Sequence, residues 1–295
     1  MKIEKVLFHT NFRELAFNSL QSILELKVVG LKEIILVHII PLEEGGFVPY
    51  GGYLKEAEEQ ARAKAQLQFT DWQQTLAQSG VASSIRIETG ITNAKILAIA
   101  EQEKVDLIVV GRKKRTPFEK VYVGSHILDI LRRSTVPVLM SKYMVQFEWQ
   151  DELVSRINEH IFKRPLLATD WSEPSHNALK MLAALKGAVD SASVVHVIDA
   201  KLTKNASPEA LRELELESRK RLEAYCRELS DAGLKAEPHL AMGRTAVELI
   251  KMSRDYKATM IVMGRTGKDW FEEYWLGGVS HRVAEISELP VLLTP

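Results

Sequence analysis

The sequence predicts an α/β fold in two tandem copies, each an open five-stranded parallel sheet sandwiched by helices, and three observations carry that expectation. The chain has 295 residues, about twice the length of an ordinary domain. Its two halves align with one another through apolar runs and glycines, the mark of an internal repeat. Within each half, short β-branched runs alternate with longer stretches of helical period, the pattern of a parallel sheet wrapped by helices.

Taken in order, Val6 to Asn11 matches Leu166 to Asp170 when Thr10 is set on Thr169. Val37-His38-Ile39-Ile40 then falls on Val195-His196-Val197-Ile198, and Val105 to Gly111 falls on Ala258 to Gly264. Val136-Pro137-Val138-Leu139 closes the first half as Leu289-Pro290-Val291-Leu292 closes the second. The first half holds extra residues after its second strand, and Gly45 to Gly52, with paired glycines and Pro49, reads as an inserted loop. In the second half, Ser172 and Pro174 begin a helix with Ala178, Leu182 and Leu185 on one face. Ser207 and Pro208 start another, with Leu211, Leu214, Leu222, Tyr225 and Leu229 inward and Gly233 at its end. Leu153, Val154, Ile157 and Ile161 recur at helical spacing, so residues 144–163 read as a helical linker between domains at 1–143 and 164–295.

Hydrophobic residues make up 46% and charged residues 26%, with Lys+Arg and Asp+Glu equal at 39 each. That balance excludes a general nucleic-acid binder or a membrane-surface protein, both of which need an excess of basic side chains. Cys226, the single cysteine, cannot form an internal disulfide and sits in a helical stretch, which fits a reducing compartment. No apolar run approaches the roughly 18 residues of a membrane span, and the opening MKIEKVLFHT carries Glu4 and lacks an apolar core. A cytoplasmic protein is the expectation.

In an open parallel sheet, ligands bind beyond the carboxyl ends of the strands where the connection reverses. In the second half, the loop there reads Gly264-Arg265-Thr266-Gly267, nine residues from Lys268 to Leu276, then Gly277-Gly278-Val279-Ser280 entering a helix. Glycines let backbone N–H groups approach phosphate oxygens, and a helix N-terminus adds partial positive charge. The loop is neither a Walker A sequence nor a GxGxxG fingerprint.

Its spacing resembles the ATP motif of the universal stress protein family: glycine, two residues, glycine, nine residues, glycine, then serine or threonine. The resemblance extends to the strand order of both halves, to Asp170 ending a first strand, to Gly243 between strand and helix, and to the closing Leu289-Pro290-Val291-Leu292. It implies a Rossmann-like fold of the adenine-nucleotide alpha-hydrolase type, with the two halves related by a pseudo-two-fold axis and their final strands paired antiparallel. It also implies roles. Asp170 would lie near the adenine or ribose, the Val197 backbone would contact the base, and Gly264, Gly267, Gly277, Gly278, Val279 and Ser280 would surround ribose and phosphates. The ligand implied is ATP, or AMP or ADP, with Mg²⁺ as an accompanying ion. Gly278 departs from the family, which has a hydroxyl residue there, and Ser280 could partly compensate for the phosphate hydrogen bond lost.

The first half departs further. Its loop reads Gly111-Arg112-Lys113-Lys114, nine residues from Arg115 to Val123, then Gly124-Ser125, so Lys114 replaces the second glycine. Asn11 stands where the second half has Asp170. Both changes fall on the expected nucleotide pocket and imply a degenerate site, with Arg112 to Arg115 read as a solvated charged loop and, as the alternative, a holder of a phosphate or an acidic partner. His38 and His196, at equivalent positions in apolar strands, read as satisfied core histidines, since no metal-like cluster accompanies them. Trp270, Phe271, Tyr274 and Trp275 read as packing residues for the other domain or another chain, with stacking on a ligand as the alternative. The resemblance implies a nucleotide-dependent stress-response regulator acting on an unidentified protein partner; a slow ATPase, for which no dedicated general base stands beside the loop, and a nucleotide-free scaffold are the alternatives. A homodimer of tandem chains is a further expectation.

Overall fold

The computed structural model describes residues 2–13, 15–42, 47–48, 52–53, 55–111, 125–149, 152–204, 206–265 and 278–295. In the first half, β1 (Lys5–His9), α1 (Ala16–Ser22), β2 (Glu33–Ile40), β3 (Phe47–Val48), β4 (Gly52–Tyr53), α2 (Lys55–Gln78), β5 (Ala82–Thr89), α3 (Thr92–Gln102), β6 (Leu107–Gly111), α4 (Ser125–Arg133) and β7 (Val138–Ser141) follow one another. Between the halves lie β8 (Met144–Trp149) and β9 (Glu152–Ile157). The second half comprises β10 (Pro165–Ala168), α5 (Glu173–Ala184), β11 (Ala192–Asp199), α6 (Ala200–Thr203), α7 (Pro208–Asp231), β12 (Ala236–Gly243), α8 (Thr245–Asp255), β13 (Met260–Gly264), α9 (Gly278–Ile286) and β14 (Val291–Thr294).

Five parallel strands form in each half, and the two sets join into one ten-stranded sheet ordered β12-β11-β10-β13-β14-β7-β6-β1-β2-β5. The central strands are apolar almost throughout because helices cover both faces. Buried side chains of α1, α2, α5 and α7 pack on one face, and those of α3, α4, α8 and α9 on the other. The join is the antiparallel pair β7 and β14, with Leu139 opposite Leu292, Met140 opposite Val291 and Val138 opposite Leu293. Leu139 and Leu292 are equivalent in the repeat, so the pseudo-two-fold axis passes between them and each neighbour meets the counterpart of the residue across the axis. Two edges that would template aggregation are removed by this pairing.

The repeat is also written in the backbone. Positive φ recurs at equivalent positions: Phe12 (51°) and Trp171 (68°), Gly80 (72°) and Gly233 (88°), Gly90 (148°) and Gly243 (150°), Lys104 (51°) and Lys257 (51°). Side-chain chemistry explains where the halves diverge. Ser172 caps α5 by accepting from the Ser175 N–H at 3.3 Å, with proline in the first turn. Arg13 occupies the capping position in the first half and cannot accept, and α1 starts only after Leu15, itself left-handed at φ 65°. A 3-10 turn, Ile23–Val29, completes that shorter helix.

Two expectations are corrected. The helical linker is instead an antiparallel hairpin, β8 with β9, in which Met144 faces Ile157 and Trp149 faces Glu152. Val145, Phe147 and Trp149 recur at every second position, a strand period that the helical spacing of Leu153, Val154 and Ile157 obscured. The following residues are tied down by Asn158, whose N–H donates to the Tyr143 carbonyl at 2.8 Å and whose Nδ2 donates to the Thr259 carbonyl at 2.8 Å. Within the inserted loop, Phe47–Val48 pairs antiparallel with Gly52–Tyr53 as a short ribbon. Helix α7 forms as expected, with Ser207 accepting from the Ala210 N–H at 3.2 Å and Gly233 after its end; of the residues expected inward Leu222 and Leu229 are buried while Leu211, Leu214 and Tyr225 are half-buried, and Cys226 is buried beside them. Burial pushes the Cys226 thiol up to about 11, as expected of an inert helix cysteine.

Candidate functional site

The crevice at the carboxyl edge of the second half lies between β10 and β13, from which the chain leaves in opposite directions across the sheet. Asp170 follows β10, and its Oδ1 accepts from the Ser172 N–H at 3.0 Å and from the Ser172 hydroxyl at 2.5 Å. Oδ2 is thereby left as the oxygen able to meet a ligand hydroxyl. Beneath it, Thr169 Oγ1 accepts from the Trp171 N–H at 3.1 Å and lies 3.2 Å from Ser175 Oγ, locking the strand end to the first turn of α5.

Val197 is buried, with 7% exposure, but its backbone faces the crevice. The Thr169 N–H donates to the Val195 carbonyl at 2.9 Å, so alternate residues of β11 turn their peptide groups toward β10. Ala168, opposite Val195, is the last rung between these strands. Val197 lies two residues beyond it, so its N–H and C=O point into the gap above β10. That is the geometry needed to read the edge of a planar base.

Gly264 ends β13, and its hydrogen faces the N-terminus of α5. A methyl there would lie 2.6 Å from the Pro174 carbonyl carbon and 2.7 Å from the Ser175 nitrogen. Close packing of helix on strand therefore requires glycine at Gly264, quite apart from any phosphate. Gly267 and Gly277 lie outside the described residues, as do Lys114 and the Trp270 to Trp275 stretch. Gly278 and Val279 begin α9, and among the described residues no atom outside the helix's own backbone lies within 4 Å of where a Gly278 Cβ would stand. The first turn of α9 presents backbone N–H groups of the kind that can receive an anion.

Ser280 is 3% exposed, and its hydroxyl donates to the Arg265 carbonyl. That bond ties the residue after β13 to the first turn of α9. Arg265, which the spacing argument passed over, anchors the same loop. Its N–H extends the β13–β14 ladder to the Thr294 carbonyl at 2.8 Å. Its half-buried guanidinium crosses the pseudo-two-fold axis and donates to the Ser134 carbonyl at 2.7 Å, just past α4. Burial pushes that guanidinium below its usual range.

Both histidines behave as core groups. His196 Nδ1 lies 2.7 Å from the Thr169 carbonyl and His38 Nδ1 lies 2.9 Å from the Thr10 carbonyl. An aromatic ring covers each, Trp171 at 4.7 Å and Phe12 at 4.9 Å between centroids. Arg221 lies over the Trp171 ring at 5.9 Å. Among the described residues no group of three or more His, Cys, Asp or Glu side chains is placed to hold a metal, and no helix is long and apolar enough to cross a membrane.

Comparison with known proteins agrees with this architecture. The family model described as Universal stress protein family matches residues 2–142 and again 162–295. A universal stress protein of Methanocaldococcus jannaschii is 29% identical over 153 residues, which is 45% of this chain and 94% of that protein. The universal stress protein YxiE of Bacillus subtilis is 29% identical over 146 residues, covering 45% of this chain and 99% of YxiE. The crystal structure of a universal stress protein from Archaeoglobus fulgidus superposes with a TM-score of 0.74 at 20% identity, over 99% of this chain and 96% of that one. It shares the fold over the whole tandem arrangement.

Proposed function

The chain belongs to the universal stress protein family, and from that premise we propose that it is a nucleotide-dependent regulator whose second half holds ATP or AMP. The observation that carries the reading is the convergence at one crevice of the Asp170 carboxylate, the outward-facing Val197 backbone and the first turn of α9. Each suits one part of an adenine nucleotide: an acceptor for ribose hydroxyls, paired donor and acceptor groups for a base edge, and N–H groups for phosphate. The Gly264 to Ser280 loop supplies the rest by its sequence, with Gly267 and Gly277 as the positions of closest backbone approach. Mg²⁺ would accompany a triphosphate and offset part of its negative charge. In this reading the nucleotide adds to the surface beside Arg265, which is bonded to Ser280 of α9 and to the first half, and a protein partner senses that surface.

Titration calorimetry of nucleotide-stripped protein with Mg-ATP tests this. One site per chain is expected, abolished by Gly267→Lys, which gives the second loop the residue of the first. Two sites would refute the assignment to the second half alone, and retained affinity in Gly267→Lys would refute the placement of the phosphates. Absence of binding by ATP, ADP and AMP alike would refute the nucleotide reading itself.

A further inference from the structure

The equivalent crevice of the first half is differently furnished. His9 ends β1 where the second half has Ala168, and in register it stands beside Val37 of β2 and Val110 of β6. Those valines face α3 and α4, so the imidazole lies on that side of the sheet, at the carboxyl end between β1 and β6 where the connection reverses. It is 9% exposed, and its Nε2 is buried with no hydrogen-bond partner. A second orphan lies at the same edge on the opposite face. Ser141 Oγ, in a residue 2% exposed, has no partner, whereas its counterpart Thr294 donates to the Pro174 carbonyl at 2.9 Å. An unpaired buried polar atom costs about 1 to 3 kcal/mol, and folded proteins keep few of them. At the ligand-binding edge of an open sheet, the retained orphans mark the places of missing partners.

The charge at the mouth has also been inverted between the halves. Asp170 and Ser172 of the second half correspond to Asn11 and Arg13 of the first, so one negative charge is removed and one positive charge added. A carboxylate only accepts hydrogen bonds, whereas the Asn11 amide also donates. Burial pushes the His9 imidazole down to about 3, with His38 and then Arg13 adding to the effect. His9 therefore remains neutral at ordinary pH, offering one N–H and one lone pair, and among the described residues Arg13 brings positive charge to this mouth.

We propose that the first-half crevice is a second ligand site, specific for a small molecule bearing an oxyanion group, a carboxylate or a phosphate, engaged by His9 Nε2, the Asn11 amide and the Arg13 guanidinium. The site works without a nucleotide base, and it stands whether or not the second half binds ATP.

Imidazole ¹⁵N resonances of His9, assigned through His9→Gln, report binding directly. Inorganic phosphate and succinate are titrated separately into full-length protein at constant ionic strength, with chloride as the balancing anion. A saturable shift with one or both probes is expected, and whichever saturates at lower concentration identifies the oxyanion. Arg13→Gln should weaken binding by about tenfold, ~1.4 kcal/mol, and Asn11→Asp should weaken it further, while Gly267→Lys leaves it unchanged. No saturable shift with either probe, or a shift indifferent to Arg13→Gln, overturns the proposal. A second arm tests the opposing idea that His9 merely plugs a nucleotide pocket. If the double variant His9→Ala, Asn11→Asp gains a Mg-ATP site by calorimetry while the wild-type imidazole ignores both anions, the plug is correct and the oxyanion site is not.

Discussion

Gly264→Ala separates two reasons for a glycine that sequence spacing cannot distinguish. If the residue is glycine because α5 packs against it, one added methyl must push on backbone atoms: the Pro174 carbonyl carbon at 2.6 Å and the Ser175 nitrogen at 2.7 Å, with Pro174 Cβ at 2.8 Å. Ordinary carbon contacts lie near 3.5 to 4.0 Å, so α5 has to retreat by about 1 Å or its first turn has to distort. Overpacking of this kind costs about 1 to 3 kcal/mol. The matched control is Gly111→Ala, where a Cβ meets nothing within 4 Å among the described residues and a surface change of roughly 0.5 kcal/mol or less is expected. Urea unfolding followed by far-UV circular dichroism gives both values, and the thermal midpoint should fall by about 2 to 4 °C for each kcal/mol lost. Equal stability of the two variants would refute the packing argument. If Gly264→Ala were also to abolish ATP binding in a fully stable protein, the glycine would be serving the ligand rather than α5.

Other expectations follow from single contacts. Ser280→Ala removes the hydroxyl bond to the Arg265 carbonyl and should cost about 0.5 to 1.5 kcal/mol, read as a lower urea midpoint; an unchanged midpoint would show that this bond adds nothing. Lys257 closes α8 with φ 51°, a left-handed conformation that disfavours any Cβ, so Lys257→Gly should raise stability by up to about 1 kcal/mol, and a loss would refute the strain. Asp170→Asn gives the second crevice the residue of the first and should weaken ATP by at least about tenfold in calorimetry; full retention would remove Asp170 from the site. His9, lowered to about 3 in the fold from an ordinary 6.5, binds fewer protons folded than unfolded between those values. Stability is therefore complete above about pH 6.5 and falls as the pH drops toward 3, with a slope near 1.4 kcal/mol per unit from this one group. His9→Gln should flatten that slope in urea titrations across the window, and an unaltered slope would refute the burial of a neutral ring.

Much of the fold was legible because its signals are periodic. Val105 to Gly111 and Ala258 to Gly264 are apolar runs too short for helices, and they became β6 and β13 with most of their residues buried. Ser172 and Ser207 announced α5 and α7 because an N-cap acts within three residues. The hairpin of β8 and β9 was not legible, since an apolar pair followed four residues on by Ile157 satisfies a helical period as readily as a strand. In the candidate site, the family spacing marked Gly264 and Ser280 but assigned both to phosphate. Spacing carries no record of whether the room beside a glycine is taken by a ligand or by Pro174, nor of whether a serine proton is already given to a neighbouring carbonyl. His9 was visible in the alignment as the counterpart of Ala168, one residue from the aligned threonines. Its importance emerged only once the register with Val37 and Val110 showed that its ring is buried at the switch in connection direction.

The seam between the halves decides how the two crevices can influence each other. Because β7 and β14 run antiparallel about Leu139 and Leu292, the carboxyl edge of one half lies at the amino edge of the other, and the two crevices open on opposite rims of one sheet. A molecule in one cannot touch a molecule in the other, so any coupling has to pass through the protein. Arg265 provides a short route: its carbonyl holds Ser280 at the start of α9, its N–H holds Thr294 in β14, and its guanidinium holds the Ser134 carbonyl after α4. Helix α4 leads directly into β7, which ends at Ser141 beside Gly111 on the first half's own rim. Arg265→Lys would keep the charge but lose the planar fork that reaches across the axis. If the two sites are coupled through this contact, that substitution should make the anion-induced shift of His9 independent of ATP while leaving each ligand able to bind alone; persistence of the coupling in Arg265→Lys would place the route elsewhere along the β7–β14 seam.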